Sequence, residues 1–140
     1  METKPENSPH ESLPAVIVDA ALQVHRELGP GLLEQVYESV LARELECRGL
    51  TVRRQVSIPI RYRDLHFPEG FRADMIVQDE VLLELKSVEQ LSRVHSKQVL
   101  TYLKLTGLRL GFLLNFGAPL MKDGIERIAL GYVPRVARVA

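Results

Sequence analysis

Phe71-Arg-Ala-Asp-Met-Ile-Val-Gln-Asp-Glu-Val-Leu-Leu-Glu-Leu-Lys86 is the stretch whose reading decides the fold. Two β-prone runs, 72–77 and 81–86, flank the polar segment Gln78-Asp79-Glu80. Side chains alternate along a strand, so Glu84 and Lys86 share one face while Leu83 and Leu85 take the other. If residues 78–80 form a three-residue hairpin loop, Val77 pairs with Val81 and Asp74 lies opposite Glu84. Two carboxylates and an ammonium then converge on one patch. Such a trio can hold a hard divalent cation and tune a water beside it. The plain alternative is a surface ion pair, Glu84–Lys86, worth about 0–1 kcal/mol. Against it, the charges interrupt otherwise apolar strands, where an unpaired charge is costly.

Outward from this hairpin, the chain alternates helix and strand signals. Residues 14–28 predict a helix: Ile17, Ala20, Ala21, Val24 and Leu28 recur at helical spacing, and Gly29 suits its end. After Gly29-Pro30-Gly31, a second helix is expected over 32–48. Leu33, Val36, Tyr37, Val40, Leu41 and Leu45 form its apolar stripe, and Gly49 stops it. Residues 51–62 read as a strand with Val52, Val56, Ile58 and Ile60 at even positions, and Pro59 marks an edge or a bulge. Residues 63–70 are expected to be a loop or hairpin tip. A third helix is predicted over 91–106. The nearly continuous apolar run 108–116 predicts a strand covered on both faces. Strand, helix and buried strand imply a right-handed crossover with parallel pairing. Residues 125–130 predict a last strand. The fold class is therefore α/β: a mixed central sheet flanked by helices.

The chain has 140 residues, 46% of them apolar, which suits one domain with a real core. Its expected span is 13–132, between a polar tail at 1–12, expected to be mobile, and a second tail at 133–140. Eighteen basic and eighteen acidic residues give a formal net charge of zero. A phosphate-binding surface can then come only from a local patch, such as Arg53, Arg54, Arg61, Arg63 and Arg72 with Lys97 and Lys104. A solvated face is the commoner outcome of such a run. Cys47 is the one cysteine, so no internal disulfide forms, and a reducing, cytoplasmic setting is expected. No apolar stretch reaches transmembrane length, and 1–12 has no signal-peptide core, so no membrane partner is expected. There is no P-loop, dinucleotide fingerprint or nucleophile elbow. His10, His25 and His66 show no ligand spacing with Cys47 that would suit zinc.

Three further groups carry candidate chemistry. Glu34 and Tyr37 in Gly31-x-x-Glu34-x-x-Tyr37 are neighbours on one helix face. Glu34 is expected to lean toward the core between Leu41 and Leu45. It is equally explained as the third residue of a helix capped at Gly31, and the two roles are compatible. Glu44 in the apolar stripe calls for a structural partner such as an arginine. His95, Gln98 and Tyr102 share the inward face of the third helix and need polar partners, either at the site or in a satisfied network.

Taken together, Gly29-Pro-Gly-Leu-Leu-Glu-Gln-Val-Tyr37, Phe71-Arg-Ala-Asp74, Glu84-Leu-Lys86, His95-x-x-Gln98-x-x-x-Tyr102-Leu-Lys and Leu114-Asn-Phe-Gly117 resemble the GxxExxY proteins of the PD-(D/E)XK nuclease superfamily. The resemblance covers residues 14–130. It implies a restriction-endonuclease-like αβββαβ core and hydrolysis of nucleic-acid phosphodiesters, DNA first, with Mg²⁺ or Mn²⁺ as cofactor. It makes Asp74 and Glu84 metal ligands and Lys86 the catalytic lysine. Glu34 becomes the helix acid that completes such sites, and Leu85, inside the Glu-x-Lys motif, a further metal contact. Gln98 and Tyr102 match a Q-x-x-x-Y motif of related branches. Ala73 stands where the superfamily's name has proline. The rival class is a non-catalytic nucleic-acid- or protein-binding module on the same fold. A homodimer is a further expectation, because small nucleases often use two copies to cut two strands.

Overall fold

A computed structural model describes residues 12–133. The elements are α1 (Leu13–Leu28), α2 (Glu34–Cys47), β1 (Val52–Tyr62), β2 (Leu65–Val77), β3 (Val81–Lys86), α3 (Arg93–Thr106), β4 (Leu110–Asn115), a 3-10 turn (Met121–Gly124) and β5 (Ile125–Ala129). They build one mixed sheet in the order β1-β2-β3-β4-β5. β3 and β4 are parallel and the other pairs antiparallel, as the helix between two buried strands predicted. This is the mixed α/β arrangement of a restriction-endonuclease-like fold, with helices on both faces.

Each face of the sheet buries its own core. Ile17, Ala21 and Val24 of α1 and Tyr37, Leu41 and Leu45 of α2 pack against Val81, Leu83 and Leu85. Val99 and Leu103 of α3 pack against Leu82, Leu113 and Ile76 on the other side. β3 is covered on both faces, so its period-2 alternation is one of partners rather than of burial.

The link from α1 to α2 explains one sequence motif. Gly29 and Gly31 take φ of 71° and 99°, which turn the chain tightly around Pro30. The Tyr37 hydroxyl donates to the Gly29 carbonyl at 2.5 Å and accepts from the Leu32 N–H at 3.1 Å. Its ring is buried and stacks on Phe116 at 4.6 Å. The tyrosine thus ties the turn to the core. α2 starts at Glu34 with Leu33 as its N-cap, two residues later than expected. Leu33 and Val36 are 69% and 39% exposed, so they leave the predicted buried stripe: the first turn overhangs the sheet.

Residues 63–70, expected as a loop or hairpin tip, hold the hairpin turn and continue as strand from Leu65. The hairpin turns only at Arg63 and Asp64, with Tyr62 paired to Leu65. The apolar signal is weak there because these residues are exposed. Pro59 sits at the register shift between Ile58 and Ile60, the bulge its missing N–H suggested. Residues 1–11 and 134–140, most of the two expected tails, lie outside the described residues. Among the described residues, no helix is long and apolar enough to cross a membrane.

Candidate active site

The site lies where the sheet's hydrogen-bond ladders break. β2 and β3 pair Val77 with Val81, Ile76 with Leu82 and Met75 with Leu83, the predicted register. The next rung is made by side chains. The Asp74 N–H donates to Glu84 Oε1 at 3.1 Å, and the Leu85 N–H donates to Asp74 Oδ2 at 2.9 Å. On the other side, β1 and β2 pair Arg54 with Met75 and Val56 with Ala73, passing over Gln55 and Asp74. Both strands change face at this point. Val52 and Met75 pack with the α1/α2 core, whereas Val56 and Ala73 pack with the α3 core. The break leaves backbone donors free for carboxylates, and so the acids can sit half inside the sheet.

Glu84 is buried, at 9% exposure, and Asp74 half-buried. Burial, reinforced by the Asp74 charge, pushes Glu84 up to about 8, although the Asp74 N–H and Lys86 oppose it. Burial also raises Asp74, against the Leu85 N–H, with Glu38 adding to the rise. The pair therefore shares a proton near neutral pH. Lys86 is half-buried, on the Glu84 side of β3, and acts on both acids through space. It makes no ion pair among the described residues, so the plain surface Glu84–Lys86 bridge is not formed. Tyr102 stacks on Phe71 at 3.9 Å. Burial and then Glu84 and Asp74 raise its phenol, so the tyrosine bounds the acids from α3.

Asp74 and Leu85 also line an open cleft of about 470 Å³ with Leu32, Leu33, Glu34, Gln35, Glu38, Gln55 and Ser87. Ser87 Oγ donates to the Leu32 carbonyl at 2.6 Å, which ties the strand exit to the turn before α2. The buried Asn115 fixes that exit from below. Its side chain accepts from the N–H groups of Val88 and Gly117 and donates to the Val88 carbonyl, all at 2.9–3.0 Å. Gly117 is required there, since a Cβ would sit 2.3 Å from the Val88 carbonyl oxygen.

A sequence profile of the PD-(D/E)XK nuclease superfamily matches residues 11–128. The chain belongs to the PD-(D/E)XK nuclease superfamily. No curated protein and no solved structure matches it. Membership gives a nuclease-like function, with nucleic acid as the substrate class; PD-(D/E)XK nucleases typically use divalent metals.

Of the sequence-predicted residues, the fold gathers Asp74, Glu84, Leu85, Lys86 and Tyr102. Glu34 is exposed at the cleft rim as the first residue of α2, not a core-facing third residue of a helix capped at Gly31. Gln98 is exposed one turn before Tyr102 and makes no hydrogen bond to the acids. His95 is structural: its Nδ1 accepts from the Ser92 N–H at 3.3 Å at the start of α3. Glu44 has the arginine it called for, Arg48 at 3.1 Å. Three arginines of the expected basic rim are engaged: Arg53 with Asp79, Arg54 with Glu38 and Arg72 with Glu69.

Two residues were missed, Glu38 and Gln55. Glu38 is buried on α2, one turn beyond Glu34 and in line with Leu41 and Leu45, so helical spacing could have found it. Gln55 had no sequence signal. Among the described residues, no three His, Cys, Asp or Glu side chains cluster closely enough to hold a metal by themselves. Two abutting carboxylates whose burial leaves their charge uncompensated nonetheless fit a hard cation that keeps several waters. In an extended strand the N–H and C=O of one residue face the same neighbour, so the Leu85 carbonyl opens toward Asp74 as its N–H does.

Proposed function

We propose that the protein is a Mg²⁺- or Mn²⁺-dependent nuclease of the GxxExxY group that hydrolyses DNA phosphodiester bonds at Asp74 and Glu84. The observation that carries this reading is the carboxylate pair at the ladder break, beside a lysine that makes no ion pair among the described residues. Asp74, Glu84 and the Leu85 carbonyl would hold the cation, with Glu34 at the rim reaching it through water. When bound, the cation would offset charge on the scissile phosphate and favour ionisation of a nearby water. Lys86 would orient that water and stabilise the extra negative charge on phosphorus as the new P–O bond forms and the leaving P–O bond breaks. Tyr102 and Gln98, on the α3 side, would meet the substrate backbone. The setting we propose is cytoplasmic, with a homodimer for double-strand cutting.

The test is incubation with single- and double-stranded DNA and RNA in Mg²⁺ or Mn²⁺. Cleavage that Glu84→Ala and Lys86→Ala abolish is the expected result, and no such cleavage refutes the enzyme. A second reading, a module that binds a protein partner without cutting, is favoured by the engagement of Arg53, Arg54 and Arg72 in ion pairs, which leaves fewer cations for phosphate. Neither cleavage nor binding of any of the four nucleic acids would support it instead.

A further inference from the structure

Gln55 is in an unusual conformation for its place. Among the described residues, four non-glycine residues have positive φ: Gln55 at 49°, Arg63 at 54°, Gln78 at 54° and Asp79 at 52°. The last three lie in hairpin turns, where such angles close the loop. Gln55 alone lies inside a strand. The left-handed region is sterically disfavoured for a residue with a Cβ, so something must hold it there. The side chain is exposed; the backbone twist is where β1 changes face, between Val52 in the α1/α2 core and Val56 in the α3 core. The same twist gives the side chain a direction: the carboxamide projects toward α2 at the ladder break.

There its Nε2 donates to Glu38 Oε1 at 2.5 Å and to Asp74 Oδ1 at 3.4 Å. One nitrogen stands between two carboxylates. The other Glu38 oxygen is taken by Arg54 at 2.8 Å, and Arg54 also donates to Ser39 at 2.9 Å. Glu38 is thus buried, bonded at both oxygens, and separated from Asp74 by the Gln55 amide. With that amide gone, Glu38 lies next to the acid pair with one oxygen unsatisfied. A buried carboxylate in that state seeks a donor or a cation.

We propose that Gln55 is a positioning residue that holds Glu38 away from the Asp74/Glu84 pair, so that the pair keeps only two carboxylates and leaves the rest of its cation's coordination open to water and phosphate. The proposal rests on the metal-dependent reading above. Open positions are what a hydrolytic cation needs, and a third carboxylate would tighten binding while occupying one of them.

The experiment uses the full chain with Mn²⁺ as probe, followed by electron paramagnetic resonance of the free ion. Gln55→Gly removes the carboxamide and relieves the backbone strain, which offsets part of the cost of the unsatisfied Glu38 oxygen, so the metal-free variant still unfolds in one cooperative urea transition. Its Mn²⁺ affinity rises by about fivefold or more, as expected for one more charged ligand. The double variant Gln55→Gly/Glu38→Gln loses that gain, because Glu38 supplies it. Unchanged or weaker Mn²⁺ binding by Gln55→Gly overturns the proposal, and so does a gain that persists in the double variant. Wild-type protein that binds no Mn²⁺ overturns the metal-dependent reading as well. Wild-type binding with a silent Gln55→Gly overturns the positioning role alone.

Discussion

Replacing Glu84 with glutamine should make the metal-free protein more stable at high pH while abolishing its proposed chemistry. Glutamine keeps the acceptor that receives the Asp74 N–H, and its amide reproduces the donor of a protonated Glu84 facing the Asp74 carboxylate. It removes only the charge. In wild type the Glu84 pKa rises from 4.5 in the ordinary carboxyl to about 8 in the fold. The folded state then holds this proton more tightly than the unfolded state. Between those two values the unfolded chain binds fewer protons, so stability falls as pH rises. At about 1.4 kcal/mol per pH unit, the loss is roughly 3 kcal/mol by pH 7 and close to 5 kcal/mol once the group is fully ionised. Because the titration is shared with Asp74, we expect a difference of at least about 2 kcal/mol between wild type and variant at pH 9. The two should converge below pH 4.5. The assay is urea unfolding in a chelator across this range, read as the midpoint at constant slope. Parallel pH profiles for wild type and Glu84→Gln would refute the reasoning, since Glu84 would then carry no burial penalty.

Two other outcomes are expected. Cation binding must displace the proton that the acid pair retains, so Mn²⁺ affinity should climb with pH toward 8, by up to about tenfold per unit, and flatten above it; calorimetry in two buffers of different ionisation heat reads the released proton. Tyr37→Phe keeps the Phe116 stack but leaves the Gly29 carbonyl and Leu32 N–H without their partner, which should cost about 1–3 kcal/mol in urea unfolding.

Much of the site was legible because its signals are local. A three-residue loop and a period of two place Asp74 beside Glu84 and put Lys86 on the same side. Residues 78–80 needed no distant partner to set that register. The order of helices and strands followed from periodicity, and parallel pairing of β3 with β4 followed from the helix between them. A hairpin tip was among the expectations for 63–70, but the strand character of residues 65–70 was not legible, because an exposed strand carries no apolar alternation. Glu34 was placed two residues too deep in α2 because helical spacing gives a face but not where the sheet beneath ends.

By itself the sequence determined the elements, the hairpin register and the acid–acid–lysine set, all properties of short segments. Tertiary structure decided which charges are free and which are spent. Burial against α3 raised Glu84, ion pairs engaged Arg53, Arg54 and Arg72, and the broken ladder turned Gln55 toward Glu38. Glu38 and Gln55 are distant in sequence and on different elements. Only the packing of α2 across β1 brings them to Asp74, and no spacing within either segment encodes that meeting.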